Sequence, residues 1–281
     1  MIRLSAFADE AGESLREQIA ATLENGLSET DVRNIDGKNV LNFSEAETRE
    51  FARAFRAEGI RVACIGSPLG KREVCGFREF RGELEKILRT AEMFGTDRVR
   101  IFSFYHAANR GEEVKKCISQ AVACAAKVGI RLYHENELGI YGENAAKCLE
   151  LISETDCGCV YDPANFVLAG QEIGDAEKAL LPYSDFFHVK DARRTGEIVP
   201  AGCGDARIRE LLTREDVLLT VEPHLAEFGG YAGLTERDMV RSEFCYDSPR
   251  AAFDAGVSAV KRILAENGFE RKDNGEWRRA R

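Results

Sequence analysis

Short β-type runs alternate with longer amphipathic stretches along the chain, and this alternation constrains the fold more than any other feature. Strands that alternate with helices form a parallel sheet. The intervening stretches, such as Ser44–Glu58 and Phe77–Phe94, have helical periodicity, and several end in Gly or Asn. Eight runs have the composition of buried strands: Ile2–Ala8, Glu29–Arg33, Arg61–Ser67, Arg98–Phe104, Arg131–Glu137, Cys157–Asp162, Phe186–Asp191 and Leu218–Glu222.

Eight strand–helix units without a change in composition predict a closed (β/α)8 TIM barrel. The chain has 281 residues, and such a barrel needs about 250. An open doubly wound sheet is the alternative, but no GxGxxG follows the first strand. We therefore expect one barrel domain over residues 1–270 and a basic C-terminal tail over residues 271–281. The tail has no apolar periodicity, so we expect it to be exposed and frayed, although Trp277 could dock on the barrel or on a neighbouring subunit.

The composition is that of a globular enzyme. Hydrophobic residues make up 44% and charged residues 31% of the chain. The net charge of −9 disfavours nucleic acid as a partner, because a nucleic-acid binder needs basic surface. The start MIRLSAFADEAG lacks the pattern of a signal peptide and no apolar run reaches membrane-spanning length, so we expect neither feature. The nine cysteines include no CxxC pair, which favours reduced thiols in the cytoplasm. The sequence leaves open whether the chain forms a homo-oligomer.

Polar residues cluster near the end of each of the last four predicted strands, after apolar residues. They are Glu135, Asp162, His188 and Glu222. Their spacings are 27 (162 − 135), 26 (188 − 162) and 34 (222 − 188) residues, each about one strand–helix unit. The C-terminal ends of barrel strands meet at the mouth where TIM-barrel active sites lie. Three carboxylates and one imidazole there predict a site for one divalent ion: Mn, Zn, Co or Mg.

Five segments carry a resemblance to a known family: Leu132-Tyr133-His134-Glu135-Asn136, Val160-Tyr161-Asp162-Pro163, His188-Val189-Lys190-Asp191, Gly202-Cys203-Gly204-Asp205 and Val221-Glu222-Pro223. The chain resembles the sugar phosphate isomerase/epimerase superfamily of xylose isomerase-like barrels, which includes ketose 3-epimerases, inosose dehydratases and endonuclease IV. The resemblance implies that Glu135, Asp162, His188 and Glu222 are the metal ligands. The chain departs from the family at Asn165, where a histidine is frequent, and at Cys203, where Glu or Lys is frequent.

The resemblance also implies a mechanism. The metal would chelate a carbonyl oxygen and the adjacent hydroxyl and stabilise an enediolate. Glu135 and Glu222 would lie on opposite faces of the substrate, one removing a proton and the other returning one. Asp162 and His188 would mainly hold the metal. Asp191 would not bind the metal itself but would orient or tune its ligands.

Further residues are candidate substrate contacts: Lys190, His106 and Asn165. Lys190 shares a strand face with His188, so it could bind a substrate oxygen or pair with Asp191 or Glu222. His106 follows the fourth strand, and it is either a contact or a solvated loop residue. Lys71 is more readily interpreted as a solvated lysine, and Arg33 as a salt-bridge partner at the barrel end.

The Gly202-Cys203-Gly204-Asp205 turn could cradle a phosphate. Asp205, however, would serve as the N-cap of the following helix, and its charge opposes a phosphate. We therefore expect an unphosphorylated substrate.

The predicted function is a divalent-metal-dependent isomerase or epimerase acting on a keto-sugar or related polyol ketone. A lyase or dehydratase could use the same metal site and expel a leaving group instead of returning the proton. A non-catalytic sugar-binding barrel is a further alternative. An abasic-site endonuclease fits less well, because that relative uses a histidine-rich three-metal cluster and this chain has only four histidines.

Overall fold

The computed structural model describes residues 1–226 and 243–280. Its barrel strands are labelled β1 to β8 in chain order. Each predicted strand is present, and several end earlier than predicted because their last residues belong to the loops at the barrel mouth. The bounds are β1 Ile2–Ala6, β2 Glu29–Val32, β3 Arg61–Gly66, β4 Arg98–Ile101, β5 Arg131–Glu135, β6 Gly158–Tyr161, β7 Ser184–Val189 and β8 Val217–Val221.

At least one helix follows each barrel strand. Local sequence explains their ends: Ser44 and Glu47 form a capping box at the start of the second helix, and Gly95 ends the third with φ of 78°. The helices are α1 Leu15–Glu24, α2 Glu45–Ala57, α3 Phe77–Phe94, α4 Gly111–Ala126, α5 Ala145–Thr155, α6 Pro163–Leu168, α7 Ile173–Leu180, α8 Ile208–Leu211 and α9 Pro249–Glu266.

The parallel sheet closes on itself. Its hydrogen-bonded order is β1-β8-β7-β6-β5-β4-β3-β2. The remaining gap between β1 and β2 is bridged just past β1, where Phe7 pairs in parallel with Asp31. The Thr30 hydroxyl also donates to the Ala6 carbonyl at 3.1 Å. These contacts confirm a closed barrel and exclude the open sheet.

The barrel interior is apolar in its central layer and charged above it. The apolar cluster comprises Ala63, Cys64, Tyr133, Val160, Phe186 and Leu218. Side chains two residues apart on a strand share a face. The same inward faces therefore present Glu135 two residues after Tyr133, and His188 two residues after Phe186. The larger hydrophobic clusters lie between the strands and the surrounding helices.

The C-terminal tail differs from the expectation of a frayed end. Strands Phe269–Arg271 and Trp277–Arg279 form an antiparallel hairpin, and Trp277 pairs with Ile2 at the start of β1. Trp277 is only 7% exposed. The hairpin hydrogen bonds and the burial of this indole order the tail, so the division at residue 270 cuts through a structural element. Residue 281 lies outside the described residues.

None of the helices within residues 1–226 and 243–280 is long and apolar enough to span a lipid bilayer.

Candidate metal centre

The four predicted ligands come together at the C-terminal end of the barrel. One ligand atom from each of Glu135, Asp162, His188 and Glu222 lies within 4.8 Å of the others, and all four residues are buried. His188 lies between the two glutamates: its Nδ1 is 2.7 Å from Glu135 Oε1 and 3.4 Å from Glu222 Oε2. Four consecutive strands thus present one mixed oxygen and nitrogen set.

The donor set fits a divalent cation. Asp162 Oδ1 accepts a hydrogen bond from the Asn165 amide at 3.1 Å and caps α6, while Asp162 Oδ2 has no hydrogen-bond partner. Lys190 Nζ lies 3.2 Å from the same oxygen, at ion-pair distance. Lys190 therefore pairs with Asp162, rather than with Asp191 or Glu222 as considered above. A buried carboxylate oxygen that lacks a hydrogen bond and faces three other donors is suited to metal coordination.

The electrostatics of the cluster are those of a tightly coupled ionic group. Burial raises the pKa of the Glu135 carboxyl, but His188 and Arg100 outweigh it and hold that pKa at about 2. Burial lowers the pKa of His188, but Glu135 overcomes this and raises it to about 10. Burial raises the pKa of Asp162 to about 7 despite the opposing charge of Lys190. The imidazolium and the ammonium together balance the carboxylates, a role that a divalent ion could take over.

A second group of charged side chains surrounds Glu222. Arg33 Nη1 lies 2.7 Å from Glu222 Oε1, and the same guanidinium contacts Asp9 at 2.9 Å and Glu10 at 3.2 Å. His224 Nε2 lies 3.2 Å from Glu222 Oε1 and 3.4 Å from Glu10. Burial raises the pKa of Glu10 to about 8. Glu10, Glu222 and His224 could by distance hold an ion, but the Arg33 guanidinium already occupies this group and opposes a second cation.

Arg33 is therefore the salt-bridge partner that the sequence predicted, and it contacts a ligand residue. Asp9, Glu10, His224 and Arg100 were not predicted. Asp9 and Glu10 lie in a 3₁₀ helix after β1. Their position directly after a predicted barrel strand could have identified them, because the loops that follow barrel strands line the mouth.

Asn165, a predicted substrate contact, belongs to a hydrogen-bond network that holds the backbone of the site. Its side-chain amide donates to the Asn136 carbonyl at 2.8 Å. The Asn136 side chain in turn donates to the Asp162 carbonyl at 2.8 Å and accepts from the Asp162 amide at 3.0 Å. These bonds join the ends of β5 and β6 and fix the backbone of Asp162. A substrate-binding role for Asn165 stays a prediction.

Asp191 holds the glycine turn. Its Oδ2 accepts hydrogen bonds from the amides of Gly202 at 2.8 Å and Gly204 at 3.0 Å, and its Oδ1 accepts one from Ala206 at 3.1 Å. In the described part of the chain, none of its hydrogen bonds reaches a ligand residue. Direct orientation of the ligands, as predicted for Asp191, is thus replaced by a role in ordering the loop after β7.

The C-terminal end of the glycine turn, where Asp205 was predicted to cap the next helix, differs from the prediction. Arg207, with φ of 54°, precedes α8 in the capping position, and Asp205 Oδ2 instead accepts from the Arg194 amide at 2.8 Å. The N-cap assignment of Asp205 is therefore wrong, because two further residues separate it from the helix. The turn amides already bind the Asp191 carboxylate, which leaves them unavailable to a phosphate.

The predicted contact His106 and the lysine Lys71 lie outside the buried cluster. The His106 side chain is 71% exposed, and its Nδ1 lies 3.9 Å from Glu73. Lys71 Nζ pairs with Glu137 at 2.8 Å and lies 4.4 Å from the centre of the Phe102 ring. The structure thus does not bring His106 to the four ligands, and Lys71 is more ordered than a solvated lysine.

Comparisons with known proteins agree with the fold. The model of the xylose isomerase-like TIM barrel family matches residues 24–229. No curated protein sequence matches the chain.

Similar solved structures have the same fold. An L-ribulose 3-epimerase is 14% identical, with 95% of this chain and 96% of that chain covered and a TM-score of 0.72. The probable 3-DHS dehydratase of Bacillus anthracis petrobactin synthesis is 15% identical, with coverages of 92% and 98% and a TM-score of 0.68. A xylose isomerase-like TIM barrel protein of Mycobacterium smegmatis, in complex with magnesium, is 13% identical, with coverages of 95% and 97% and a TM-score of 0.67.

Proposed function

The chain belongs to the xylose isomerase-like TIM barrel family, and on that premise we propose that it is a divalent-metal-dependent isomerase or epimerase of an unphosphorylated keto-sugar or related polyol ketone. The observation that carries the proposal is the convergence of Glu135, Asp162, His188 and Glu222 at the barrel mouth. The magnesium complex of the M. smegmatis protein supports a metal, and the L-ribulose 3-epimerase supports a sugar substrate. Mn, Zn, Co and Mg all suit the donor set.

The two glutamates would move the proton. A divalent ion held by the four ligand residues would supply Lewis-acid polarisation of the substrate carbonyl. Glu135 on β5 and Glu222 beyond β8 come from different strands and both reach His188 Nδ1, and we propose that they approach the substrate from opposite faces. One glutamate removes the proton from the carbon beside the carbonyl, which leaves an enediolate, and the other returns a proton to the opposite face.

Lys190 would complete the substrate site. Its ammonium is buried near Asp162, and the carboxylates of Asp162 and Glu222 raise its pKa against the effect of burial. A cation that stays protonated can donate to the developing negative oxygen of the substrate. The occupied glycine turn supports an unphosphorylated substrate, because no free backbone cradle remains there.

A lyase is the second candidate, favoured by the dehydratase among the similar structures. It would use the same proton abstraction and then lose a β-leaving group. The two reactions differ in mass balance, so one assay separates them. Turnover in D2O should give substrate with incorporated deuterium for an epimerase, and loss of water for a dehydratase.

The experiment that tests the proposal combines metal analysis with a substrate screen. The purified protein should contain, or bind, one divalent ion per chain. It should then interconvert a member of a panel of free ketoses, keto-inositols and 3-keto-glycosides. Metal binding without turnover across the panel would favour the sugar-binding alternative, and failure to bind any divalent ion would refute the metal site.

We also propose a cytoplasmic enzyme that acts on small molecules, without nucleic acid or membrane partners. The net charge of −9 opposes binding to phosphate backbones. The protein should not bind duplex DNA measurably at physiological salt. Tight, salt-sensitive binding of abasic duplex together with strand cleavage would overturn both this proposal and the isomerase.

A further inference from the structure

We propose that Arg100 is a positioning residue for Glu135, and that it thereby controls proton transfer on one face of the substrate. The inference rests on the proposed function, in which Glu135 both binds metal and exchanges a proton. Arg100 lies on β4, next to β5, and is 5% exposed. It touches Glu135 rather than the predicted metal position, so its effect would be transmitted through the carboxylate.

The two oxygens of Glu135 have different partners. Oε2 forms an ion pair with Arg100 Nη1, and Oε1 lies 2.7 Å from His188 Nδ1. Since the guanidinium holds Oε2, the carboxylate plane is fixed and Oε1 is the oxygen presented to the other ligands. A metal ligand is usually oriented by such an outer hydrogen bond.

Arg100 is itself held from several sides. Its guanidinium carbon lies 4.3 Å from the centre of the Phe102 ring and 5.8 Å from that of Phe7. A Cβ at Gly66 would lie 3.3 Å from Arg100 Nη2 and 2.5 Å from a Phe7 ring carbon, so glycine there makes room for both groups. The Ser67 hydroxyl donates to the Arg100 carbonyl at 2.6 Å. The two rings and the close approach at Gly66 confine the guanidinium, and the Ser67 hydrogen bond holds the backbone of Arg100.

Arg33, which pairs with Glu222, differs from Arg100 in the number of carboxylates that it contacts. Arg33 divides its guanidinium among Asp9, Glu10 and Glu222. Within residues 1–226 and 243–280, Glu135 is the one carboxylate in ion-pair distance of Arg100. Glu135 therefore depends on a single dedicated arginine, and loss of Arg100 should affect one glutamate and leave Glu222 with its own partners.

The first test measures Mn²⁺ binding to full-length variants without substrate. Arg100→Met should weaken Mn²⁺ binding by about 10- to 100-fold, as expected for loss of an outer partner of a ligand. Arg100→Lys should restore part of it, because an ammonium keeps the charge but not the planar fork. Lys71→Met is the matched control, since Lys71 lies over the same Phe102 ring but pairs with Glu137. Its Mn²⁺ affinity should equal that of the wild type.

A coupling measurement separates positioning from general damage to the fold. In a Glu135→Gln background, Arg100→Met should cause no further loss of Mn²⁺ affinity, because the group it positions is gone. An equal loss in both backgrounds would show that Arg100 acts elsewhere and would overturn the inference. Thermal unfolding of each variant verifies that the proteins compared are folded.

The second test follows solvent deuterium exchange from each epimer of the identified substrate, with Mn²⁺ saturating. Arg100→Met should slow exchange from the epimer whose proton faces Glu135 by at least tenfold more than from the other epimer. Equal slowing of both, or no slowing, would overturn the inference. If wild-type protein neither binds Mn²⁺ nor exchanges protons, the proposed function itself fails; a functional wild type with an unaffected variant refutes only the role of Arg100.

Discussion

The two halves of the barrel contribute the two members of each glutamate–arginine pair at the site. Strands β5 to β8 and their ends supply the four candidate ligands, three of which are carboxylates. Strand β4 and the residue after β2 supply the two arginines, Arg100 and Arg33, that pair with the two glutamates. For Glu135 and Glu222, therefore, the carboxylate comes from one half and its arginine from the other, whereas Asp162 pairs with Lys190 of its own half.

This division shows how buried acids can be kept ready for a metal. Three buried carboxylates close together repel one another, and isolated burial of such charges is costly. The arginines neutralise the outer oxygens of Glu135 and Glu222, while the inner oxygens converge on His188. One oxygen of each glutamate thus faces the centre of the site, where a metal ion would have to replace the proton of His188.

The largest expected effect in this comparison concerns the two glutamates. Glu135→Gln and Glu222→Gln keep the size and one oxygen but remove the base. Each change should reduce full epimerisation by at least the 10²- to 10⁴-fold typical of general acid–base groups. Because both residues also bind metal, the metal content of the same samples must be measured beside the rate.

The informative variant is one that retains metal and exchanges only one substrate proton with solvent. It would show that half of the reaction survives on the intact face. A metal-loaded double variant that still interconverts substrate at the wild-type rate would contradict the mechanism, since another group, with Lys190 and then His106 as candidates, would have to move the proton.

The four candidate ligands were predictable from sequence, and of the two arginines that pair with them only Arg33 was. Glu135, Asp162 and Glu222 are acids that follow apolar strand residues, a pattern that stands out in a linear sequence. Arg100 lies in the run Arg98-Val99-Arg100-Ile101, which is also the pattern of a strand with one solvated face. Only the closure of the sheet makes the polar face the inner one, and that depends on contacts distant in sequence.

Other differences have similar physical causes. His106 has φ of 51° on an exposed loop, so its position after a strand did not carry it into the site. The C-terminal tail is ordered by Trp277 against Ile2, a pairing across the whole length of the chain. Such long-range partners leave no local periodicity to detect.

A substitution far from the metal centre tests whether a loss of folding stability alone changes Mn²⁺ affinity. Trp277 packs at the start of β1, at the opposite end of that strand from the metal centre. Trp277→Ala should lower the free energy of unfolding by about 3 kcal/mol, the range for large buried aromatics, as measured by urea unfolding. Mn²⁺ affinity of the folded variant should be unchanged. A parallel loss of metal affinity would mean that effects at the centre, including those of Arg100, reflect stability.

Metal addition tests the candidate ligands directly. An ion that binds only the folded protein stabilises it by about 2.7 kcal/mol at a concentration of 100 times Kd, so Mn²⁺ should raise the urea midpoint and a chelator should reverse this. Asp162→Asn removes a ligand and the partner of Lys190, and most of the Mn²⁺ effect should disappear. Equal stabilisation of wild type and variant would place the ion elsewhere.

The smallest effect is the pH dependence of metal binding, and its sign follows from the same ionic group. The pKa of His188 is raised to about 10, chiefly by Glu135 acting against burial. Its protonated form therefore stabilises the metal-free fold fully below about 6.5, the ordinary histidine value, and this contribution is lost as the pH rises through about 10. Metal binding needs the neutral imidazole, so it must expel this proton at neutral pH.

Mn²⁺ affinity should accordingly rise about tenfold per pH unit between pH 7 and 9, equivalent to about 1.4 kcal/mol per unit. Below pH 7 the slope should steepen, because burial raises the pKa of Asp162 to about 7 and this carboxyl must then also lose a proton. Calorimetry in two buffers of different ionisation enthalpy would count the protons released. Release of about one proton at pH 8 and more at pH 6.5 would support the ionic arrangement. If no proton is released at pH 8, His188 is already neutral, and the arginines rather than the imidazolium balance the two glutamates.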